Sequence, residues 1–180
     1  RGLGDVYKRQ ASKAAAELYV EQWARRYELR HSICRLGNVY GPRQRGDGEA
    51  GVIAILAERI LAGEAVTLYG SGTPTRDYVH VSDVAAAITR CLGVPGTFNI
   101  ATGVATPVTE ILSMIQDALA GSYDIPDVIF ADLRPGELQA SCLDASRAEV
   151  SLGWKPEIEL ARGIRETTRW ILATRENRQL

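Results

Sequence analysis

The stretch between Val66 and Leu92 constrains the fold most. An apolar run, Val66-Thr67-Leu68-Tyr69, meets the glycine turn Gly70-Ser71-Gly72, and Thr75-Arg76-Asp77-Tyr78-Val79-His80 then leads into a helical pattern headed by Ser82 and Asp83. A strand, a glycine turn, a second extended segment and a capped helix in such short order belong to an α/β protein rather than a bundle or a sandwich. The same layout suits an anionic ligand. Gly70 and Gly72 can present backbone amides without a side chain in the way, and Arg76 can add a charge-assisted contact to a phosphate, with Asp77 able to orient it. A surface turn with Arg76 paired to Asp77 or Asp83 fits these residues equally.

The rest of the chain alternates in the same manner. An alanine-rich helix is expected over 12–26, a short buried strand over 31–36, and a polar Gly/Pro/Arg loop over 38–48. A helix over 51–62 should stop before Gly63. Further helices are expected over 84–92 (capped by Ser82 or Asp83), from Pro107 through 119 with Thr106 as cap, over 144–152, and over 160–174. Residues 66–69, 78–80, 96–100 and 125–131 read as extended, and Gly153-Trp154-Lys155-Pro156 as a turn.

Three more positions carry chemistry. Asn38, just after the 31–36 strand, offers an amide donor and a carbonyl acceptor where α/β enzymes place ligand contacts, although Tyr40-Gly41-Pro42-Arg43 also reads as a rigid turn. Arg134-Pro135-Gly136-Glu137 supplies a second cation for a phosphate or ribose, or an exposed ion pair. Lys13, early in the first helix, can meet ribose hydroxyls or lower a neighbouring tyrosine pKa, or simply face water. Trp23, Trp154 and Trp170 are expected to pack in core or interface, and His31 and His80 to be structural.

Composition narrows the function classes. With Lys+Arg 21 against Asp+Glu 22 the formal net charge is −1, so no nucleic-acid or membrane partner is expected from bulk electrostatics. Cys34, Cys91 and Cys142 lack CxxC spacing, so neither a metal site nor a disulfide framework is expected. No window is apolar enough for a membrane span, and a cytoplasmic location is expected.

Taken in order, Ala11-Ser12-Lys13-Ala14-Ala15-Ala16-Glu17, Asn38-Val39-Tyr40-Gly41-Pro42-Arg43-Gln44, Arg76-Asp77-Tyr78-Val79-His80-Val81, Phe98-Asn99-Ile100, Arg134-Pro135-Gly136-Glu137 and Leu152-Gly153-Trp154-Lys155-Pro156 resemble one family. It is the extended short-chain dehydrogenase/reductase family of NAD-dependent epimerases and dehydratases acting on nucleotide sugars, most closely its UDP-glucose 4-epimerase branch. The resemblance implies a Rossmann-type α/β fold of which this chain is the C-terminal part, with late Rossmann elements interleaved with a small α/β substrate-binding lobe. Residues 11–40 would be the late Rossmann helix and strand, and 41–180 the lobe with the remaining Rossmann elements. The strand over 31–36 would then lack neighbours.

The resemblance also implies roles. Asn38, Arg76 and Arg134 would hold the UDP-sugar, and Lys13 would be the lysine of the YxxxK pair, on the nicotinamide ribose of NAD. Such an enzyme oxidises the sugar at C4 to a 4-keto intermediate and returns the hydride to the other face. A 4,6-dehydratase shares the oxidation and then eliminates water, and a non-catalytic sugar-nucleotide-binding or regulatory protein is the alternative outside enzymes. The helix over 12–26 resembles one used in a two-fold dimer, which implies a homodimer for the complete protein. Arg9 departs from the pattern, standing where the YxxxK tyrosine belongs, and an arginine is no reversible base near neutral pH. The string Arg1 to Gln10 matches no family segment, resembles translated adapter sequence, and is expected to be a non-native leader.

Overall fold

The computed structural model describes residues 3–46, 51–120, 123–124, 126–133 and 138–176, with side chains from residue 11 onward. A long helix, α1 (Leu3–Tyr27), leads into β1 (Ser32–Leu36) and β2 (Asn38–Tyr40). Then come α2 (Val52–Ala62), β3 (Val66–Tyr69), a 3-10 turn (Gly70–Gly72), β4 (Thr75–His80) and α3 (Val81–Cys91). The chain continues through β5 (Gly96–Ile100), β6 (Ala105–Pro107), α4 (Val108–Leu119), β7 (Val128–Ala131), β8 (Ala140–Ser141), α5 (Ser146–Leu152) and α6 (Leu160–Glu176).

Three parallel strand pairs organise these elements: β1 with β5, β2 with β4, and β3 with β7. Strand β4 is the hub. Its later half pairs with β2, while its first residues lie antiparallel to β6 and parallel to β8. Side chains alternate across a strand, and β4 uses this to divide two cores. Tyr78 faces a cluster of Tyr40, Ile53, Leu56, Ile60, Leu68, Ile111, Ile115 and Ile164, drawn from α2, α4 and α6 among others. Val79 faces the opposite cluster of Val84, Ala87, Phe98, Ile100, Ala148 and Trp154. Helix α2 buries Ile53, Leu56, Ala57 and Ile60, one face at helical spacing, and stops where Gly63 turns left-handed at φ 68°.

Several expectations are corrected. The strand at 31–36 has a neighbour: β5 pairs with it through five residues, from Ser32↔Gly96 to Leu36↔Ile100, so the chain completes this parallel pair from its own sequence. The picture of a bare C-terminal part, with strands stranded for want of partners, therefore fails on pairing. Residues 38–40, read as loop, form β2 because β4 offers a parallel edge there. Helix α3 begins earlier than expected, with His80 rather than Ser82 or Asp83 at its cap; the His80 Nδ1 accepts the Ser82 N–H at 3.3 Å. Thr106 lies in β6, and Pro107 rather than Thr106 caps α4.

Helix α1 runs unbroken across the Gln10/Ala11 boundary. Its bidentate contact with β1, Arg35 Nε to Glu17 Oε1 at 2.9 Å and Arg35 Nη2 to Glu17 Oε2 at 2.6 Å, ties it to the sheet. Ala24 is buried, whereas Leu18, Tyr19 and Trp23 are exposed. No helix among the described residues is long and apolar enough to cross a membrane.

Candidate functional site

The β2–β4 pair assembles the candidate site. Asn38 lies in register with Tyr78, and Arg76 stands two residues before Tyr78 on the same face of β4. Asn38 is exposed, Arg76 half-buried and Tyr78 buried. The Arg76 Nη1 donates to the carbonyl of Thr75 at 2.8 Å, which folds the guanidinium back along its own strand. The Tyr78 hydroxyl is buried and has no hydrogen-bond partner among the described residues. Burial pushes this phenol up to about 12, with the positive charge of Arg76 pulling the other way. A neutral buried hydroxyl that lacks a partner is costly, and this one lies near enough to Arg76 to feel its charge. Sequence reasoning gave Tyr78 no role.

Arg134 itself lies outside the described residues. The segment after it is nonetheless drawn to β4: the Thr75 N–H donates to the Gln139 carbonyl at 2.9 Å, and Arg76 is in register with Ser141. Lys13 is exposed on α1, one helical turn before Glu17 and on the same helix face. The side chain of Arg9 lies outside those described.

The two acids offered as partners for Arg76 have other duties. Asp77 points to the opposite face of β4, where its buried carboxylate accepts the Thr102 N–H at 2.8 Å, the Thr102 hydroxyl at 2.7 Å, the Gly103 N–H at 2.9 Å and the Leu143 N–H at 3.3 Å. Asp83 accepts the backbone N–H groups of Glu157 and Ile158 at 3.2 and 3.1 Å, beneath the Gly153-Trp154-Lys155-Pro156 turn. Both carboxylates hold loops in place. The glycine turn has a packing role as well: a Cβ on Gly70, at φ 58°, would lie 2.7 Å from Leu133 Cδ1, and one on Gly72, at φ 70°, 2.5 Å from Thr109 Cγ2. The space that sequence reasoning reserved for a phosphate is filled by side chains.

His80 is buried below β2. Its Nε2 has no hydrogen-bond partner among the described residues and lies 3.9 Å from Glu166 Oε2, and Tyr40 meets the ring edge-on. Burial lowers its pKa, opposed by the nearby Glu166 and Asp83. This is a packing histidine with no nucleophile beside it. Among the described residues no group of three His, Cys, Asp or Glu is placed to hold a metal.

A model of the NAD dependent epimerase/dehydratase family matches residues 7–101. The chain belongs to that family. It is 43% identical to a UDP-glucose 4-epimerase of Mycolicibacterium smegmatis over 89% of this chain and 51% of that protein. A dTDP-glucose 4,6-dehydratase of Neisseria gonorrhoeae is 33% identical over 94% of this chain and 51% of that protein. The crystal structure of a Thermus thermophilus UDP-glucose 4-epimerase in complex with NAD superposes with a TM-score of 0.82 at 40% identity, covering 90% of this chain and 53% of that one.

These matches correct the expectation of a likeness limited to a C-terminal half. Sequence similarity runs over 89–94% of this chain, the family match begins at residue 7, and the epimerase fold extends over 89–90% of the chain in the structural comparisons. The chain spans about half the length of the curated relatives it matches. NAD is the family's cofactor and is bound in structures of several relatives. Lys13 is the residue of this chain expected from sequence to meet NAD. It stands on an exposed helix face. An exposed ammonium on α1 suits a ribose hydroxyl and supplies no more of a dinucleotide site than that.

Proposed function

We propose that this chain supplies the nucleotide-sugar side of an NAD-dependent epimerase acting on a UDP-hexose, interconverting UDP-glucose and UDP-galactose. The observation that carries the reading is the shared face of β2 and β4, where Asn38, Arg76 and a Tyr78 hydroxyl with no partner among the described residues stand together. In this reading Arg76 neutralises a diphosphate oxygen, Asn38 donates its amide to the diphosphate, and the Tyr78 hydroxyl donates to a ligand oxygen. Arg134 approaches the same diphosphate from the segment leading to β8, and Lys13 meets the nicotinamide ribose. Residues 11–40 form the late Rossmann helix and strand, and 41–180 the substrate lobe interleaved with the remaining Rossmann elements.

Arg9 bears on turnover. It occupies the position of the catalytic tyrosine four residues before Lys13, and a guanidinium does not release its proton near neutral pH. The polypeptide as it stands is expected to bind a uridine diphosphate group without epimerising it. Titration calorimetry with UDP, followed by an assay of UDP-glucose conversion with added NAD, tests both halves of the reading. Absence of UDP binding by the folded chain overturns the assignment of the β2–β4 face, and turnover overturns the assignment of Arg9.

A 4,6-dehydratase acting on a dTDP-sugar is the second reading, favoured by the similarity to the Neisseria protein. Preference for dTDP over UDP in the same titration would select it. The exposed Leu18, Tyr19 and Trp23 face of α1 is proposed to pair with a second copy. Light scattering across micromolar concentrations tests this, and a monomer throughout overturns it.

A further inference from the structure

The side chains of Cys34 and Cys91 meet behind the site, across the packing of α3 on β1. Their sulfurs are 3.4 Å apart, although 57 positions separate them in sequence. Cys34 is half-buried in the middle of β1, in register with Phe98, and Cys91 is the buried last residue of α3. Ser32, two residues earlier on the same face of β1, holds the end of that helix in place. Its hydroxyl is shared between the carbonyls of Cys91, at 2.8 Å, and Val94, at 2.7 Å. The thiol contact is thus held by a neighbouring hydrogen bond on the same two elements. Cys142 is remote in the fold and lies 3.7 Å from Asp77.

We propose that Cys34 and Cys91 are a reversible dithiol–disulfide pair, oxidised by a low-molecular-weight disulfide and tying the end of α3 to β1. Two sulfurs already in contact need only a small rotation to reach the bond length of about 2 Å. The half-buried Cys34 is the entry point. Its thiolate attacks one sulfur of the oxidant, breaking the S–S bond and expelling one thiolate, which takes up a proton. The Cys91 thiolate then attacks Cys34 Sγ, forming the internal disulfide and expelling the second thiolate, which is protonated in turn. The protein loses two protons and two electrons, and the oxidant takes up both to become two thiols.

The environment sets the kinetics. Burial, reinforced by the Cys34 thiol, pushes the Cys91 thiol up to about 12. Burial persists once Cys34 is capped, so the thiolate needed for ring closure is scarce near neutrality and closure should quicken as pH rises. Such a pair is quiet under reducing conditions and responds to sustained oxidation. Strand β1 runs through Gly37 directly into Asn38, so the bond would fix the strand that leads into one of the proposed ligand contacts.

The test uses the intact chain in glutathione buffers from fully reduced to fully oxidised, with acid quenching, maleimide alkylation and peptide mass spectrometry. The expected result is a linked peptide joining Cys34 to Cys91, lighter by about two hydrogen masses than its parts, with Cys142 still alkylated. It should form faster at higher pH and disappear with dithiothreitol. Full alkylation of both cysteines at the most oxidising ratio, arrest at a glutathione adduct on Cys34, or a bond to Cys142 instead would each overturn the proposal. The Cys91→Ser variant should trap the Cys34 adduct. The linked peptide is sought in the unsubstituted chain, so a misfolded variant does not obscure the outcome.

Discussion

Asp77 holds Thr102 by two hydrogen bonds, from its backbone N–H at 2.8 Å and its hydroxyl at 2.7 Å, both to the same carboxylate oxygen. The other oxygen receives the Gly103 N–H at 2.9 Å and the Leu143 N–H at 3.3 Å. A single buried side chain thereby joins β4 to the loop after β5 and to the chain after β8. It fixes the strand carrying Arg76 relative to the segment that follows Arg134.

Asp77→Ala is therefore expected to destabilise the fold severely. It leaves buried backbone donors unsatisfied, at about 1–3 kcal/mol for each group that water does not reach. Asp77→Asn should cost less but remain harmful, since one oxygen becomes an amide donor facing other donors. Urea unfolding of both variants checks the order, with the alanine variant the less stable. An asparagine variant as stable as the wild type would show that the second oxygen contributes little.

Arg76→Ala tests the charge at the site. Arg76 is half-buried and bonds the carbonyl of Thr75, so the melting temperature of the variant is read alongside its affinity. Loss of a charge-assisted contact to a diphosphate should weaken UDP affinity by about 1.5–3 kcal/mol, roughly ten- to a hundred-fold. Asn38→Ala should weaken it less, by about 0.5–1.5 kcal/mol, as expected for a neutral hydrogen bond. Calorimetry on the two variants gives the ranking, and equal affinities in all three proteins would remove both residues from the site.

Much of this arrangement was legible in sequence because it is local. The period of apolar residues changes between strands and helices, and Gly63 marks the end of α2 in a left-handed conformation. What escaped is long-range. Strands β2 and β8 exist because β4 offers them edges, and no local propensity announces that. The Asp77 hub is built on backbone N–H groups, which have no sequence signature. At Gly70 and Gly72 the residue type was read correctly as conformational freedom, but the freedom admits Leu133 and Thr109 rather than a phosphate. His80 outcompeted Ser82 and Asp83 as the cap of α3 because Asp83 is turned to the 157–158 backbone.

His80 gives the fold a pH dependence whose sign is fixed by burial. Its folded-state pKa is lowered by burial, with Arg162 adding to that and Glu166 and Asp83 opposing it. In the unfolded chain the imidazole titrates near its ordinary value of about 6.5. Between the folded and unfolded values the unfolded state binds more protons. Stability from this group is therefore fully present above about 6.5 and is lost as pH falls toward the folded value, where the loss levels off. Denaturation midpoints measured from about pH 7.5 to 5.5 should decline, and His80→Asn, which keeps a side-chain acceptor for the Ser82 N–H, should flatten the decline. An unchanged slope in that variant would take the effect away from His80.

Gly163 sets two opposing effects against each other. It lies in α6, where replacing glycine by alanine ordinarily stabilises a helix by about 0.5–1 kcal/mol. Here a Cβ would run into the Tyr40 hydroxyl and come within 2.9 Å of Tyr40 Cζ and 3.0 Å of His80 Cδ2. Overpacking of this kind costs about 1–3 kcal/mol and outweighs the helix gain, so Gly163→Ala should lower stability by about 1 kcal/mol or more. The clash falls chiefly on the Tyr40 hydroxyl, whose own bond to the Leu160 carbonyl is long at 3.4 Å. Tyr40→Phe alone should therefore cost little, and in the double variant it should recover part of the loss. A double-mutant cycle by chemical denaturation should show a favourable coupling of about 0.5 kcal/mol or more between the two substitutions; strict additivity would mean that α6 shifts away from Tyr40 as a whole, and that the glycine is not what sets the closeness of helix and strand.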